Sequence, residues 1–440
     1  LGASGQGTGQ APFDTTLIPN SVWFDSGDYF SQDSAAANSA RKEAIFSTWI
    51  QRTKFDEQGM MMSVNGSNAN DYLVLDFQSD NTLRLLAYAT TILVTTQVFR
   101  DIGWYHILVT IDTSQNSNAS QKIFVNGEEI TSFSTRNNFG SSADIAWGRN
   151  ATHLVNSSPT SLGQNQMIGY MAQTALITDK SFQQGDYSIS DFLDTYSFGT
   201  NGSQFIPKKN SDIATIVGAG GNNSFFLNYE TSSDLGNDAS SKNNDFTANS
   251  MSSANQSSNT PSLSYPLLNP LSAAFSTPLT EGSTRASGSS GNGDDINPGI
   301  IIPKTGKWVW QITNNTDADL IYGVRNFSDM KVSYDYTNLY GFYSHTGDLV
   351  QGASPSGSYL DPASGGDVYQ IYYNAETRKM WVSDNGTIPN SGDPDGGTNE
   401  AFTIPDSGFD LCPTALVGGT SPDTTFDFGM DGVSLHADGQ

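Results

Sequence analysis

The sequence predicts an all-β protein: two β-sandwich (jelly-roll) domains joined by a Ser/Asn/Gly-rich connector. Three observations predict it: short alternating strands between polar turns, an Asn126-Gly127 pair placed to close a hairpin, and a middle stretch poor in apolar residues. The clearest block runs Trp104-Tyr105-His106-Ile107-Leu108-Val109-Thr110-Ile111, then polar from Asp112 to Ser120, then Lys122-Ile123-Phe124-Val125-Asn126-Gly127-Glu128-Glu129-Ile130. Period-two alternation is the pattern of a strand with one buried face. Asn-Gly suits a type I′ turn because both central positions need positive φ.

Further strands are expected at Ser21 to Phe24, Ala44 to Ile50, Gly59 to Val64, Tyr72 to Phe77, Leu83 to Tyr88, Tyr105 to Ile111, Gln121 to Val125 and Met167 to Ile177. Such regular spacing fits a sandwich. From Asp179 to Asp194 the apolar spacing changes to that of a short helix or two turns. Tyr196 to Ser262 is rich in Ser, Asn and Gly and contains one good strand, Ser224 to Glu230. Strands resume with Gly306 to Ile312, Asp319 to Val324, Asn338 to Ser344, Val368 to Asn374, Met380 to Ser383 and Thr424 to Phe428. The expected division is an N-terminal extension (1–19), a first sandwich (20–195), a connector with one strand (196–265) and a second sandwich (266–440). Ser283 to Pro298 and Asn385 to Thr398 read as long Gly-rich loops, a length that is usually functional or mobile.

Composition limits the function. The chain has 440 residues, 36% of them hydrophobic, and a net charge of −25 with only 20 Lys and Arg. That balance argues against nucleic acid, whose phosphates need clustered cations, and against anionic membranes or polyanionic glycans. No apolar run is long enough for a membrane span, so no membrane insertion is expected. The single cysteine, Cys412, excludes an intrachain disulfide and reads as a small buried hydrophobe. Leu1 to Gly5 has neither an initiator Met nor signal-peptide character, so the expected N-terminus has been removed or lies outside this sequence.

Ile45 to Ile50, Tyr105 to Asp112, Ile123 to Gly127 and Gly169 to Leu176 together resemble the concanavalin A-like, laminin-G-type jelly roll over roughly residues 20 to 195. Ser283 to Ala286, Gly306 to Trp310, Tyr322 to Val324, Asp367 to Asn374 with Met380 to Val382, and Thr425 to Gly429 are similar to a SPRY-type sandwich. Here the family's short turn before the penultimate strands is expanded into Asp384 to Ala401. Between them, Phe226 to Glu230, Asp234 to Asp238, Lys242 to Thr247 and Thr260 to Ser262 are similar to a segment joining laminin-G-like and SPRY-like modules in marine bacteriophage and cyanophage proteins. The combination implies a virion component exposed on the particle, a tail fibre, appendage or head decoration. Its implied partners are other virion proteins, further copies of itself as a homo-oligomer, and a host cell-surface glycan. The alternative is a secreted or cell-surface bacterial lectin or adhesin, and a glycan-degrading enzyme is third.

No catalytic residues are assigned. The paired-carboxylate Glu-x-Asp-x-x-Glu pattern of glycosidases among laminin-G relatives is absent, and Glu128 and Glu129 point to opposite faces of a strand. Asp71, Asp76 and Asp80 read as solvated turn residues near strand ends. The four histidines, His106, His153, His345 and His436, lack metal-ligand spacing. Calcium is chemically compatible with Asp144 and Asn150, or Asp112 and Asn116, but these spacings are not diagnostic, and no metal or other cofactor is assigned. The remaining binding signal is aromatic. Tyr334, Tyr336, Tyr340 and Tyr343, with Phe342 among them and His345 in the adjoining loop, form the candidate ligand-binding set, because sugar faces stack on such rings. Alternation along a strand sends about half of this cluster into the core.

Overall fold

The computed structural model describes residues 16–33, 41–64, 72–87, 90–115, 117–197, 203–270, 279–287, 290–316, 319–329, 335–352 and 354–429. The chain is all-β and divides into two compact units, Leu1–Ser264 and Tyr265–Gln440.

In the first unit two eight-stranded antiparallel sheets face each other. One runs Glu128–Glu129, Gln121–Val125, Trp104–Asp112, Glu43–Arg52, Gly169–Thr178, Ser21–Phe24 and Gln256–Ser257, with Phe225–Leu227 also paired to Gly169–Thr178. The other runs Phe133–Arg136, Thr90–Val98, Thr82–Ala87, Leu73–Phe77, Gly59–Val64, Thr152–Val155, Tyr29–Asp33 and Thr247–Asn249. Between them lies a core that includes Phe24, Phe46, Phe77, Met171 and Trp147. The expected hairpin forms at Asn126 (φ 49°) and Gly127 (φ 83°), both in the left-handed region a type I′ turn needs.

All ten residues of Gly169–Thr178 are buried. Its Met171 and Leu176 face the central core, while Ala172, Ala175 and Ile177 face a second cluster with Ile213 and Val217 of the helix Asn210–Gly218, plus Phe192, Leu193 and Phe226. A sheet covered on both sides reads as a continuous apolar run instead of an alternation. Between Asp179 and Asp194 the chain makes turns and the single 3-10 turn Ile189–Asp191.

The stretch expected to be a connector with one strand differs most. Its described part folds onto the first unit and contributes three strands to the two sheets. Phe225–Leu227 pairs with Gly169–Thr178, Thr247–Asn249 with Tyr29–Asp33, and Gln256–Ser257 with Ser21–Phe24. Polar side chains hold it there. Asp238, 6% exposed, accepts the amides of Phe226 (2.8 Å) and Ser240 (2.9 Å) on Oδ1 and that of Asn244 (2.8 Å) on Oδ2. Gly236 lies so close to the Phe246 carbonyl that a Cβ would sit 1.8 Å from its oxygen. Further along, Asn259 donates to the Gln51 side chain at 2.6 Å and accepts from Ser21 at 2.6 Å, and Ser262 accepts the Ile18 amide at 3.0 Å. Few apolar residues are needed for such a strap, so hydrophobic patterning does not reveal it.

The second unit also pairs two antiparallel sheets. One runs Leu279–Thr280, Arg285–Ser287, Asp423–Asp427, Lys307–Asn314, Asp367–Asn374, Lys379–Asp384 and Phe402–Thr403. The other runs Ser290–Ile296, Leu411–Thr420, Leu320–Asn326, Leu339–Tyr343, Asp348–Gln351 and Ser356–Ser358. Trp310, Ile312, Tyr322, Phe342, Ile371 and Phe426 fill the space between them. Ser290–Ile296 is a strand where a Gly-rich loop is expected, because Leu411–Thr420 supplies the partner. Pro413 is tolerated in that long strand because pairing with Ser290–Ile296 stops at Ala415, leaving Pro413 partnered on one side by Val324.

Two predictions follow from the strap. Replacing Asp238 with Ala leaves three amides without their acceptor, so chemical denaturation is expected to show a loss of about 3 kcal/mol or more, at roughly 1–3 kcal/mol per buried unsatisfied group. Asp28, 5% exposed, accepts the Asp25 amide (2.9 Å) and the Asn255 side chain (3.0 Å). Burial pushes its carboxyl up to about 6, against those two hydrogen bonds. A carboxyl raised on folding contributes most below its unfolded value, and that contribution is lost as pH rises through 6. Unfolding at pH 5 and 7 is expected to show the protein more stable at pH 5, and Asp28→Asn to remove about 1 kcal/mol of that difference.

Candidate functional site

The structure separates the aromatic cluster. Tyr334 lies outside the described residues. Tyr340, on Leu339–Tyr343, turns to the core side and packs near Phe402, with ring centroids 6.3 Å apart. Tyr336 and Tyr343 lie on the opposite face over Ile321, Leu339, Val350 and Leu416. His345 is exposed, 6.0 Å from the Tyr343 ring, with Nδ1 3.4 Å from an Asp319 oxygen. One sheet therefore stands between Tyr340 on one side and Tyr336 and Tyr343 on the other, and the described members do not form a single surface. On that outer face the Arg325 guanidinium is fully buried. It donates to Asp295 at 2.6 Å and to the backbone carbonyls of Thr337 and Asp335, while Thr414 donates to the other Asp295 oxygen.

Other singled-out groups have structural employment. His106 and His153 are buried, and burial pushes them down to about 3 and about 4; His106 lies 2.8 Å from the Ser47 hydroxyl. His436, Asp71 and Asn116 lie outside the described residues. Asp76 is gripped by Arg84 (3.0 and 2.7 Å), Gln58 and Gln78, and Asp80 accepts from Thr82. Asp144 pairs with Arg41, and Asp112 accepts from Ser114, Gln115 and Gln184. Burial pushes the Cys412 thiol up to about 12.

The geometry favours a surface that the sequence did not single out. In the second unit, alternate residues of three neighbouring strands point away from the core and line up in three rows. Register places Lys307, Asn374 and Lys379 in one row, Val309, Tyr372 and Trp381 in the next, and Gln311, Gln370 and Ser383 in the third. Gln370 donates to Gln311, and the Tyr372 hydroxyl donates to Gln370 at 2.7 Å. A shallow recess of about 40 Å³ opens here, lined by Lys307, Val309, Tyr372, Asn374, Trp381 and the Pro394-Asp395 wall.

That wall belongs to the expanded loop after Asp384, which is fastened down. Trp381 donates its indole N–H to the Thr398 carbonyl (2.9 Å), Lys307 donates to the Asp395 carbonyl (2.9 Å), and Lys379 donates to the Gly397 carbonyl and to Glu400. Asp393, whose turn has a calcium-loop flavour in sequence, accepts the Asp395 and Gly396 amides and so serves the turn itself. Trp381 is itself fully buried beneath this loop, so Tyr372 is the ring that the recess offers for stacking, with Asn374 and Lys307 beside it and the row of Gln311 and Gln370 adjoining.

A larger cleft of about 270 Å³ lies at the end of the same unit, floored by Ile302, Ile404 and Leu411 and rimmed by Lys304, Arg378 and Asp406. Its cations are neutralised locally: Arg378 pairs with Asp406 at 2.8 Å and Lys304 with Asp410 at 3.0 Å.

Residues 24–162 match the Laminin_G_3 family, described as the concanavalin A-like lectin/glucanases superfamily. The matched stretch lies wholly within the first unit. No curated protein matches the chain. Among solved structures, the human HERC1 SPRY domain is similar at 15% identity, with 37% of this chain and 97% of that chain covered and a TM-score of 0.30. A candidate carbohydrate-binding protein from Bacteroides ovatus is similar at 15% identity, over 36% of this chain and 43% of that one, TM-score 0.29. The native heptameric SAP-like pentraxin from Limulus polyphemus is similar at 12% identity, over 36% and 76%, TM-score 0.27.

Because Arg325 and Asp295 are both buried, removing one charge strands the other. Arg325→Met is expected to cost about 3–5 kcal/mol in denaturant unfolding, and a double variant that also replaces Asp295 with Leu to recover most of it.

Proposed function

We propose that this chain is a non-enzymatic surface protein of a bacteriophage particle that binds uncharged glycan on the host surface. The observation that carries the glycan part is the row Val309, Tyr372 and Trp381 set between an amide row and an amine row on one sheet face. A pyranose stacks its C–H face on the tyrosine ring, and its hydroxyls meet Gln311, Gln370, Asn374 and Lys307. A net charge of −25 supports an uncharged ligand, since a polyanion would be repelled. The virion part is supported by the resemblance of the segment from Phe226 to Ser262 to the one joining such modules in phage proteins. Display in many copies turns weak single-site contacts into firm attachment. Asp76, Asp80, Asp112 and Asp144 are each held by neighbouring protein groups, which supports binding over hydrolysis.

Two measurements test this reading. On an array of neutral and acidic polysaccharides, the purified chain is expected to retain neutral glycans, and Tyr372→Ala to lower that binding at least tenfold, about 1.4 kcal/mol or more, with unchanged unfolding. Retention undiminished in Tyr372→Ala removes the sheet face from the proposal, and release of reducing ends from a bound glycan replaces binding by catalysis. Mass spectrometry of purified particles is expected to find the chain, with antibody decoration on the outside; absence from particles ends the virion assignment.

A further inference from the structure

At the far end of the same three strands, the core-facing side carries oxygen donors instead of apolar groups. Asn314 lies directly opposite Asp367 on one side and Thr424 on the other, and Tyr369 lies directly opposite Asp384. Period-two alternation from Trp310, Ile312 and Ile371 puts Asn314, Asp367, Tyr369 and Asp384 on that core-facing side. The Tyr322 ring, from the other sheet of the unit, stands 5.2 Å from Tyr369.

Two features single this end out. Asn314 is fully buried, and neither its Oδ1 nor its Nδ2 has a hydrogen-bond partner. Asp384 Oδ1 is likewise buried and without a partner. Asp367 is already oriented, accepting the Ser364 amide (2.6 Å) on one oxygen and the Asn385 side chain (2.9 Å) on the other. Among the described residues, Asp361, Asp367 and Asp384 take part in no ion pair. Burial, followed by Asp367 and Asp361, pushes the Asp384 carboxyl above its ordinary range.

We infer that the rim between Asn314, Asp367 and Asp384 is a binding site for a hard divalent cation, calcium by preference. The donors are all oxygens, which suits calcium and disfavours the softer transition metals. No three His, Cys, Asp or Glu side chains converge as ligands among the described residues. The site is therefore built on two carboxylates and an amide oxygen, with hydroxyls and water completing the shell. A cation there gives the buried Asn314 and Asp384 oxygens a partner and neutralises adjoining carboxylates.

The test uses the full chain after chelator treatment, with terbium as the probe, since Tyr369 borders the site with Tyr322 5.2 Å from it, and tyrosine rings can sensitise terbium luminescence. One equivalent of terbium is expected to give a signal that calcium displaces, and calcium is expected to raise the melting temperature. Asp384→Asn is expected to weaken binding at least tenfold and to abolish the calcium-induced melting shift, while Asp410→Asn, in a surface ion pair elsewhere, leaves both unchanged. If Asp384→Asn fails to fold, Asn314→Asp replaces it. In a cation site the added carboxylate tightens calcium binding and makes folding calcium-dependent. The inference is overturned if the wild type shows no calcium-displaceable signal, if Asp384→Asn binds as the wild type does, or if Asn314→Asp behaves the same with and without calcium.

Discussion

Closure of the first sandwich depends on a carboxylate. Asp238 gathers three backbone amides from Phe226, Ser240 and Asn244, and that knot lets the chain leave one sheet and pair with the other. Without a disulfide, the strap returning over Ser21–Phe24 and Tyr29–Asp33 is kept in register by side-chain amides and hydroxyls. Its apolar contribution is small but well placed: Phe225, Leu227, Tyr229, Leu235 and Phe246 enter the central core. Backbone groups in a buried turn must find partners, and here short polar side chains supply them where a longer helix or sheet would otherwise be needed.

How much could be read from the sequence follows from the same physics. Strands with one apolar face were legible: Ser21–Phe24, Gly59–Val64 and Gln121–Val125 stand where alternation put them, as does the Asn126-Gly127 turn. Tyr29–Asp33, Phe133–Arg136 and Thr152–Val155 were not, because four or five mixed residues carry too little pattern and owe their extension to a neighbour. Ser290–Ile296 was hidden by its glycines and the strap by its serines and asparagines. The tyrosine run at 334–343 was legible as a cluster, but a strand distributes its members over two faces, and sequence alone does not say which face is covered. The sheet-face rows were harder still, since Lys307, Tyr372 and Lys379 become neighbours only through cross-strand register.

The chain is sparing with charge, and that shapes the surface. Charged residues make up 15% of it, so solubility rests on Asn, Ser, Thr and Gln together with an acidic excess. Cations are scarce, and several are committed internally: Arg84 to Asp76, Arg325 to Asp295, Lys379 to Glu400 and the Gly397 carbonyl. Lys307 and Lys379 anchor the loop wall, and Lys307 also lines the recess beside Tyr372. A floor fixed in advance costs less ordering on binding than a mobile loop.

Within the second unit, two buried polar groups of similar cost have been treated differently. Asp295 and Arg325 are both inside, and each is matched: the guanidinium by a carboxylate and two carbonyls, the carboxylate by the guanidinium and a threonine hydroxyl. Such a pair is neutral as a whole, needs no further partner and has a structural role. Asn314 and Asp384 are not matched, although neighbouring strands place threonine, aspartate and tyrosine oxygens beside them. Those neighbours offer mostly acceptor oxygens, with donors from the Thr424 and Tyr369 hydroxyls and from Asn314 Nδ2, which itself has no partner. What is missing in that corner is positive charge: among the described residues, no Lys or Arg forms an ion pair there. An acceptor-rich, acidic rim in a chain able to build a neutral buried pair elsewhere is a binding feature in its chemistry, and the physical argument for a cation there is independent of whether the sheet face holds a glycan.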